Sequence, residues 1–294
     1  MIEEEIIPIG VCPKEKPECD VVCKGLDWEL EEANRLIGFV RGRTDENPFF
    51  AVMTGAMHGG PIEYHRQQPY VEELSRLNPK DLTDIDYVES QIKGSQHWIG
   101  RSKSVVDLSD CFIKVCGVDG RKCKTPKGRE RLMDCARGAF GIGEKTIDLM
   151  KEYLGDNEAV AVDRHVGHWT CKDAEIKCPT VTKKLWEWEG RLYEQQPYDF
   201  EKAKWVGERV RRTVQYDFVK GKAIPPKVYD EIKESIRTKA KECNIQPVQL
   251  QVASWIKGAC DAMPDGPIFV GEGHYLHCER RKEMKKKLEE FMGV

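Results

Sequence analysis

Apolar residues recur along most of this chain every three or four positions, the spacing that places side chains on one face of an α-helix. In residues 28–42 this pattern is formed by Leu30, Ala33, Ile37 and Val40. Similar patterns predict helices over 49–57, 70–77, 83–92, 103–115, 129–137, 181–193, 198–218, 226–243 and 247–262, with a turn at 97–100. Strand-like alternation is scarce apart from 267–270. The pattern therefore predicts an all-α protein.

The stretch 138–169 has the clearest order of elements. It opens with the turn Phe140-Gly141-Ile142-Gly143, and the apolar residues up to Leu154 predict a helix after that turn. Residues 155–157 break this helix, and a short apolar run then leads to Asp163, where a further helix is expected to start. The local order is helix, glycine hairpin, helix, short loop, aspartate and helix.

Such a hairpin can bind an anion. Glycine allows positive φ and lets a backbone approach another molecule closely. The free N–H groups at the start of the following helix carry the positive end of its dipole, so a nucleic-acid phosphate fits there.

Lys145 and Asp163, which both follow the hairpin in the sequence, are candidates for catalysis. Lys145 lies in the first helical turn, where the positive helix end favours the neutral amine, which is the nucleophilic form. The carboxylate of Asp163 can accept a proton or stabilise a developing cation. The alternatives are that Lys145 only contacts a phosphate and that Asp163 only caps a helix.

The combination G-I-G-x-K-T followed by V-D-x-H-V resembles the helix-hairpin-helix Gly/Pro-Asp superfamily of base-excision DNA glycosylases. The resemblance implies that Lys145 is the lyase lysine and Asp163 the catalytic aspartate, at the separation found in the endonuclease III-like branch. It also implies a set of DNA contacts at Phe140, Gly141, Ile142, Gly143, Thr146 and His165. By the family layout, 45–157 would form a six-helix barrel, and 1–44 with 158–294 a second helical subdomain across a DNA-binding cleft.

The segment 242–258 resembles the C-terminal helix of the archaeal 8-oxoguanine glycosylases. It departs from that group at Gln246, which replaces a proline, and at Gln251, where the group has an aspartate. Eukaryotic-type 8-oxoguanine glycosylases use a glutamine followed four residues later by a phenylalanine, and Gln251 and Trp255 share that spacing on one helix face. An amide and an aromatic ring suit a flipped-base pocket. The alternative, a core tryptophan beside a surface glutamine, stays open.

One position departs from the family pattern before the hairpin. The matching family helix ends in a glutamine that enters the DNA, whereas this chain has Met57-His58-Gly59-Gly60. His58 is a candidate replacement, but we expect a structural or solvent-exposed histidine.

Composition narrows the class of protein. The chain has 294 residues, of which 33% are charged and 40% hydrophobic, and its net charge is −3. No apolar run reaches the length of a membrane span, and the acidic N-terminus is not a signal peptide. We expect a monomeric cytoplasmic protein, associated with the nucleoid in a prokaryote, that does not bind a membrane. Basic residues cluster at 121–131, 209–212 and 280–287.

The 12 cysteines allow three interpretations. They are buried free thiols, a metal site built from Cys12, Cys19 and Cys23, or the disulfides of a thermophile protein. We expect free thiols. The cysteine spacing of the iron–sulfur cluster found in some family members is absent, so Cys171 and Cys178 are assigned to no cluster and no metal or redox cofactor is expected.

The resemblance implies a bifunctional DNA glycosylase/AP lyase that excises an oxidised base, with 8-oxoguanine favoured, through a lysine Schiff base. Its partner would be double-stranded DNA containing a damaged base, and a monovalent cation at the hairpin is the only ion implied. The alternatives are an endonuclease III-like enzyme for oxidised pyrimidines and a non-catalytic helix-hairpin-helix DNA-binding protein.

Overall fold

A computed structural model describes residues 26–58, 64–163, 166–167, 170, 180–193, 196–199, 202, 204–215, 226–262, 267–271 and 274–279. These residues are mostly helical. The helices are α1 Asp27–Glu46, α2 Phe49–His58, α3 Tyr64–Arg76, α4 Ile85–Ile92, α5 Trp98–Cys116, α6 Pro126–Ala136, α7 Glu144–Tyr153, α8 Pro226–Glu242 and α9 Pro247–Ala262. Pro226 and Pro247 stand at the first helical position, where the missing N–H of proline has no intrahelical partner to lose.

Two helix starts differ from the sequence prediction. α5 begins at Trp98, so the predicted turn at 97–100 is reduced to His97, which adopts a left-handed conformation before the helix. α3 begins at Tyr64 and contains Pro69. Tertiary burial accounts for this extension across a proline, because the side chains of Gln67 and Gln68 ahead of it are both buried.

The predicted helices at 181–193 and 198–218 are wrong. These segments contain β1 Thr180–Trp188, β2 Arg191–Tyr193, β3 Tyr198–Asp199, β4 Lys204–Trp205 and β5 Glu208–Gln215. An antiparallel sheet has the strand order β2-β1-β5, and β3 pairs with β4. The missed signal is the pair Glu189-Gly190, which has positive φ at both residues and makes the two-residue hairpin turn that suits twisted strands.

A second hairpin, β6 Pro267–Gly271 and β7 His274–His277, confirms the strand expected at 267–270. The described residues are therefore mostly helical, which is consistent with the all-α prediction, and they also form small antiparallel sheets. β-Branched and aromatic residues are dense in β1 and β5, and such residues prefer a pleated surface.

The largest apolar cluster surrounds α2, all of whose residues are buried. α3, α5 and α7 pack around this helix. α7 can approach closely because Gly55 has no side chain: a Cβ there would lie 2.6 Å from Met150 Sδ. Side chains at the centre of the cluster are Phe49, Phe50, Met53, Met57, Leu108, Phe112, Ile147 and Met150.

Two further clusters join α1 to the C-terminal helices. One contains Leu26, Val160, Val162, Val166, Tyr229, Ile232, Ile236 and Leu250. The other contains Trp28, Ala33, Ala253, Ile256, Cys260, Ile268, Val270 and Leu276. α1 therefore packs on α9 at its N-terminal end while Val40, near its other end, belongs to the first cluster.

The expectation of free thiols is wrong for the described cysteines. Disulfides join Cys111 to Cys135, Cys116 to Cys123 and Cys260 to Cys278, with Cα–Cα distances of 5.7, 5.0 and 5.2 Å. Cys243 is also disulfide-bonded. Packing decides this pairing: α5 and α6 lie side by side and bring Cys111 to Cys135, which sequence spacing does not indicate.

Several expectations fall on other parts of the chain. Cys12, Cys19, Cys23, Cys171 and Cys178 lie outside the described residues. Within the described ranges, no group of three or more His, Cys, Asp and Glu side chains could hold a metal ion. In the same ranges, none of the helices is long and apolar enough to cross a membrane.

Candidate functional site

α6, the hairpin and α7 follow one another in the predicted order. Thr125 caps α6, because its Oγ1 accepts a hydrogen bond from the Gly128 N–H at 3.1 Å. Between the two helices, Gly141 has a φ of +72°. A Cβ at Gly141 would also lie 3.3 Å from Ser104 Oγ, so glycine meets both the backbone and the space requirement.

α5 holds the tip of the hairpin through Phe140. Ser104 Oγ donates to the Phe140 carbonyl at 2.7 Å, and the Phe140 N–H donates to Asp107 Oδ2 at 2.9 Å. Lys103 Nζ lies 4.7 Å from the centre of the Phe140 ring. Although its backbone is fixed, Phe140 is 47% exposed. The hairpin thus presents a rigid backbone and one accessible aromatic ring.

No side chain caps the start of α7. Gly143 is its N-cap residue and, having no side chain, cannot cap the first N–H groups. Gly143 and Glu144 are both exposed, while Ile142 is half-buried against the first cluster. The Gly143 carbonyl accepts from the N–H groups of Thr146 and Ile147 and so closes the first turn. The other N–H groups of the first turn lie at the positive end of the helix dipole and point away from the fold.

Thr146 faces inward. Its side chain is 3% exposed, and its Cγ2 would be 3.3 Å from a Cβ at Gly55. Its N–H is used within the first turn of α7. Thr146 therefore packs between α2 and α7 and has no surface with which to contact DNA directly.

Lys145 is half-buried and lies close enough to His58 to affect its ionisation. Burial lowers the pKa of His58 to about 3, and the positive charges of Arg101 and Lys145 act in the same direction. The His58 Nε2 lies 3.0 Å from Gln68 Oε1, a hydrogen bond that opposes this shift. His58 is therefore a neutral structural histidine, as expected from the sequence.

The extended residues 160–162, which we term the clamped segment, lead to Asp163. Their backbone groups bond to side chains from three helices. The Ala161 N–H donates to Glu152 Oε1 at 2.6 Å, and the Ala161 carbonyl accepts from Gln251 Nε2 at 3.1 Å. The Tyr229 hydroxyl lies 3.3 Å from the Val160 carbonyl oxygen and accepts from the Val162 N–H at the same distance.

Asp163 caps a short helical segment after the clamped segment. Its Oδ1 accepts from the Val166 N–H at 3.0 Å, and its carbonyl accepts from the Gly167 N–H at 2.9 Å. The structure therefore shows the hydrogen bond of a helix cap at Asp163. A catalytic role is compatible with it, since the cap fixes the orientation of the half-buried carboxylate.

A buried acidic face runs along α7 behind Lys145. Burial raises the pKa of Glu152 well above its usual value, and the negative charges of Asp148 and Asp163 raise it further. The hydrogen bond from Ala161 and the charge of Arg41 oppose this effect. The surroundings of Glu152 therefore favour its neutral form.

Asp148, one turn before Glu152, has a different environment. Its Oδ2 lies 2.7 Å from Lys233 Nζ and 2.9 Å from the Tyr229 hydroxyl. Burial and this carboxylate both raise the pKa of Tyr229, so the phenol stays protonated. Asp148 thus connects α7 to α8 as a paired, buried charge.

Gln251 and Trp255 lie on α9, behind the clamped segment. Gln251 is 5% exposed, so the alternative of a surface glutamine is wrong. Its Oε1 is buried and has no hydrogen-bond partner among the described residues. Trp255 is half-buried between the second and third clusters. The structure therefore brings Gln251 into contact with the backbone that carries Asp163.

Sequence analysis did not identify Asp148, Glu152 or Tyr229. A usable signal was present, since Asp148 and Glu152 follow Lys145 at spacings of one and two turns on a face that also buries apolar residues.

His165 lies outside the described residues, so the structure does not test its predicted DNA contact. Comparison of the chain with protein-family models, with curated proteins and with solved structures finds no match.

Proposed function

We propose that the protein is a bifunctional DNA glycosylase/AP lyase that excises an oxidised base, with 8-oxoguanine favoured, from double-stranded DNA. One observation carries the proposal. A glycine hairpin opens α7, Lys145 lies in its first turn, and the acidic face of the same helix fixes the segment that ends at Asp163. Pure phosphate binding requires neither the half-buried lysine nor the oriented carboxylate.

The proposed DNA contacts are made by the backbone. Donors at the start of α7 bind a phosphate, with Gly141 and Gly143 allowing close approach and Phe140 and Ile142 shaping the hairpin surface. The carbonyls of Ala139, Phe140 and Gly143 already accept hydrogen bonds within the hairpin. We therefore assign no step to the monovalent cation that the resemblance implies at these carbonyls.

The chemical step is nucleophilic. Lys145 transfers a proton to Asp163, and its Nζ attacks C1′ of the flipped nucleotide while the bond from C1′ to the base breaks. The base leaves with the electron pair and takes up a proton. A proton then passes from the attached amine to O4′ as the C1′–O4′ bond breaks, which opens the sugar ring and forms the C1′–N double bond of an iminium, a Schiff base. This iminium allows loss of a C2′ proton and β-elimination of the 3′ phosphate. Asp163 stabilises the positive charge on the sugar during base loss.

The buried amide of Gln251 supports a base pocket near this centre. Its Nε2 already donates to Ala161, which leaves Oε1 as an acceptor. The Watson–Crick edge of a guanine-type base carries donors that match such an acceptor, and leaving a buried acceptor unpaired costs about 1–3 kcal/mol. Trp255 supplies the stacking surface in this proposal. Guanine and 8-oxoguanine share the edge, so a contact to the N7–H must discriminate them.

The proposed architecture is two helical subdomains flanking the cleft, a barrel of residues 45–157 and a second subdomain of 1–44 and 158–294. The first apolar cluster, which lies within 40–154, supports this division.

We propose a monomer that acts in the cytoplasm on chromosomal DNA. Disulfides are rare there in general, and the intracellular proteins of hyperthermophiles are the known exception.

Lys145→Gln tests the proposal. Borohydride reduces a Schiff base, so the wild-type protein should become covalently trapped on a duplex that contains 8-oxoguanine, and Lys145→Gln should abolish trapping. Lys151→Gln is the matched control, since Lys151 lies on the same helix and its Nζ is 3.8 Å from Asp148 Oδ1. Undiminished trapping in Lys145→Gln would remove this lysine from the mechanism.

A panel of lesions separates the alternatives. Efficient excision of thymine glycol or dihydrouracil without excision of 8-oxoguanine would favour the endonuclease III-like enzyme. Binding of duplex DNA without excision or trapping on any lesion would favour a non-catalytic DNA-binding protein. Trp255→Ala should weaken excision of 8-oxoguanine far more than binding to undamaged duplex, because only a flipped base reaches the ring.

A further inference from the structure

The sheet β2-β1-β5 segregates its charges by face. Successive residues of a strand alternate between the two faces, and residues paired across strands share a face. The register pairs Lys184 with Arg211, Trp186 with Arg209, and Trp188 with Arg191. These positions therefore lie on one face, which we term the basic–aromatic face, and the pairing of Trp186 with Tyr193 adds a third aromatic position.

No acidic residue of these three strands lies on the basic–aromatic face. Glu187 and Glu208, which pair with each other, lie on the opposite face together with Leu185 and Val210. The opposite face also carries a basic pair, Lys183 and Arg212. The basic–aromatic face therefore has four cationic positions and no carboxylate of these strands. Its local charge is positive, although the net charge of the chain is −3.

Contacts of the described side chains support this arrangement. The Arg209 guanidinium carbon lies 5.6 Å from the centre of the Trp186 ring, as expected for residues that share a face. Arg191 and Arg209 are exposed, and Trp186 and Trp188 are half-buried. The guanidinium groups of Arg191 and Arg209 and part of each indole ring are therefore accessible to a ligand.

The basic–aromatic face carries a pair of like charges and no acidic residue of its three strands. Lys184 and Arg211 are directly opposite each other, and like charges in that arrangement destabilise a sheet. Among the described residues, no helix packs extensively against β1, β2 or β5. A polyanion bound along the face would remove the repulsion.

We propose that the basic–aromatic face binds single-stranded DNA, independently of whether the hairpin site excises a base. Its cations match the phosphates, and its rings offer the flat surfaces on which unpaired bases stack. Bases in a duplex are stacked on one another and cannot reach such rings. An acidic protein or an anionic membrane would use the charges but would leave the spacing of aromatic and basic residues unexplained.

The two faces of β1 and β5 supply a matched experiment. Full-length Lys184→Ala/Arg211→Ala loses two cations from the basic–aromatic face, and Lys183→Ala/Arg212→Ala loses two from the opposite face at adjacent positions. The probe is a fluorescein-labelled oligodeoxythymidine, and binding is followed by anisotropy at several salt concentrations. The first variant should bind at least about tenfold more weakly, with a salt slope smaller by about 1.4 for two lost phosphate contacts, whereas the second should bind like wild type.

A second pair of variants tests stacking. Trp186→Ala should weaken oligodeoxythymidine binding at least about fivefold, and Trp186→Phe should retain most of the affinity because it keeps a ring. Circular dichroism checks that each variant is folded. Equal losses from the two double variants would overturn the proposal. So would equal or tighter binding of a duplex of the same length, or binding of phosphatidylserine vesicles without binding of the oligonucleotide.

Discussion

Glu152 illustrates how one buried carboxyl group can couple stability to pH. Its raised pKa means that the native state keeps a proton that the unfolded chain releases at about pH 4.5. The stability that follows from this difference is fully present below the unfolded value and is lost as the pH rises towards the folded value. In this interval the native state binds more protons than the unfolded state, so the free energy of unfolding falls with increasing pH.

Glu152→Gln should remove this pH dependence. The amide oxygen can still accept from the Ala161 N–H, and the group no longer titrates. We expect the free energy of unfolding of the variant, relative to wild type, to increase in urea titrations as the pH is raised from about 4.5 towards the folded pKa of Glu152. The exposed Glu158→Gln should show no such trend. A constant difference across this range would mean that Glu152 titrates normally in the folded protein.

Asp163→Asn separates the capping and catalytic roles of this residue. Asparagine keeps the size and much of the capping capacity, but it removes the charge. We expect nearly normal folding and DNA binding, with a loss of base excision of at least about a hundredfold in single-turnover assays. If excision persists while the melting temperature drops, Asp163 serves the fold alone.

The clamped segment is the element on which the position of Asp163 depends. α7, α8 and α9 contribute Glu152, Tyr229 and Gln251, whose side chains bond to its backbone groups. These bonds fix Ala161 and Val162, the two residues that directly precede Asp163. This dependence makes the clamp a positioning device in the proposed mechanism.

Tyr229→Phe should weaken the clamp. Removal of the hydroxyl leaves the Val162 N–H without this acceptor and removes the hydrogen bond to Asp148 Oδ2, and a buried group left unpaired costs about 1–3 kcal/mol. We expect a loss of that size in urea unfolding, together with faster amide hydrogen exchange at Val162. Tyr87→Phe, at a half-buried tyrosine of α4, is the control and should change neither quantity. Unchanged exchange at Val162 in Tyr229→Phe would show that the segment is held by other contacts.

At the scale of the whole molecule, disulfides reinforce the helical packing. The bond between Cys111 and Cys135 joins α5, which holds the hairpin tip, to α6, which precedes the hairpin. The bond closes a loop with a sequence separation of 24 residues. In the chain-entropy model, closing a loop of that length stabilises the folded state by about 3 kcal/mol.

Cys111→Ser/Cys135→Ser should therefore lower the melting temperature by about 5–10 °C in differential scanning calorimetry. Addition of a reductant should lower the melting temperature of wild type further than that of the double variant, since the variant has already lost one bond. Equal melting temperatures for wild type and variant under oxidising conditions would mean that these two cysteines are not paired in solution.

The apolar repeat by itself determined most helices of the protein. The helices at 49–57, 226–243 and 247–262 match the structure to within one residue at each end, and a proline stands at or just before the start of each. The hairpin, the inward face of α7 and the cap at Asp163 also followed from local patterns, since each depends on neighbours within one or two turns.

Tertiary structure decided what depends on residues distant in the chain. The strands at 180–215 were mistaken for helices because a half-buried sheet and a helix share residue types, and only cross-strand pairing separates them. Cysteine pairing, the burial of Thr146 and the clamp on Ala161 each require helices far apart in sequence to meet. Local propensity carries no information on these tertiary contacts, because they depend on how the apolar faces of whole helices and strands pack together.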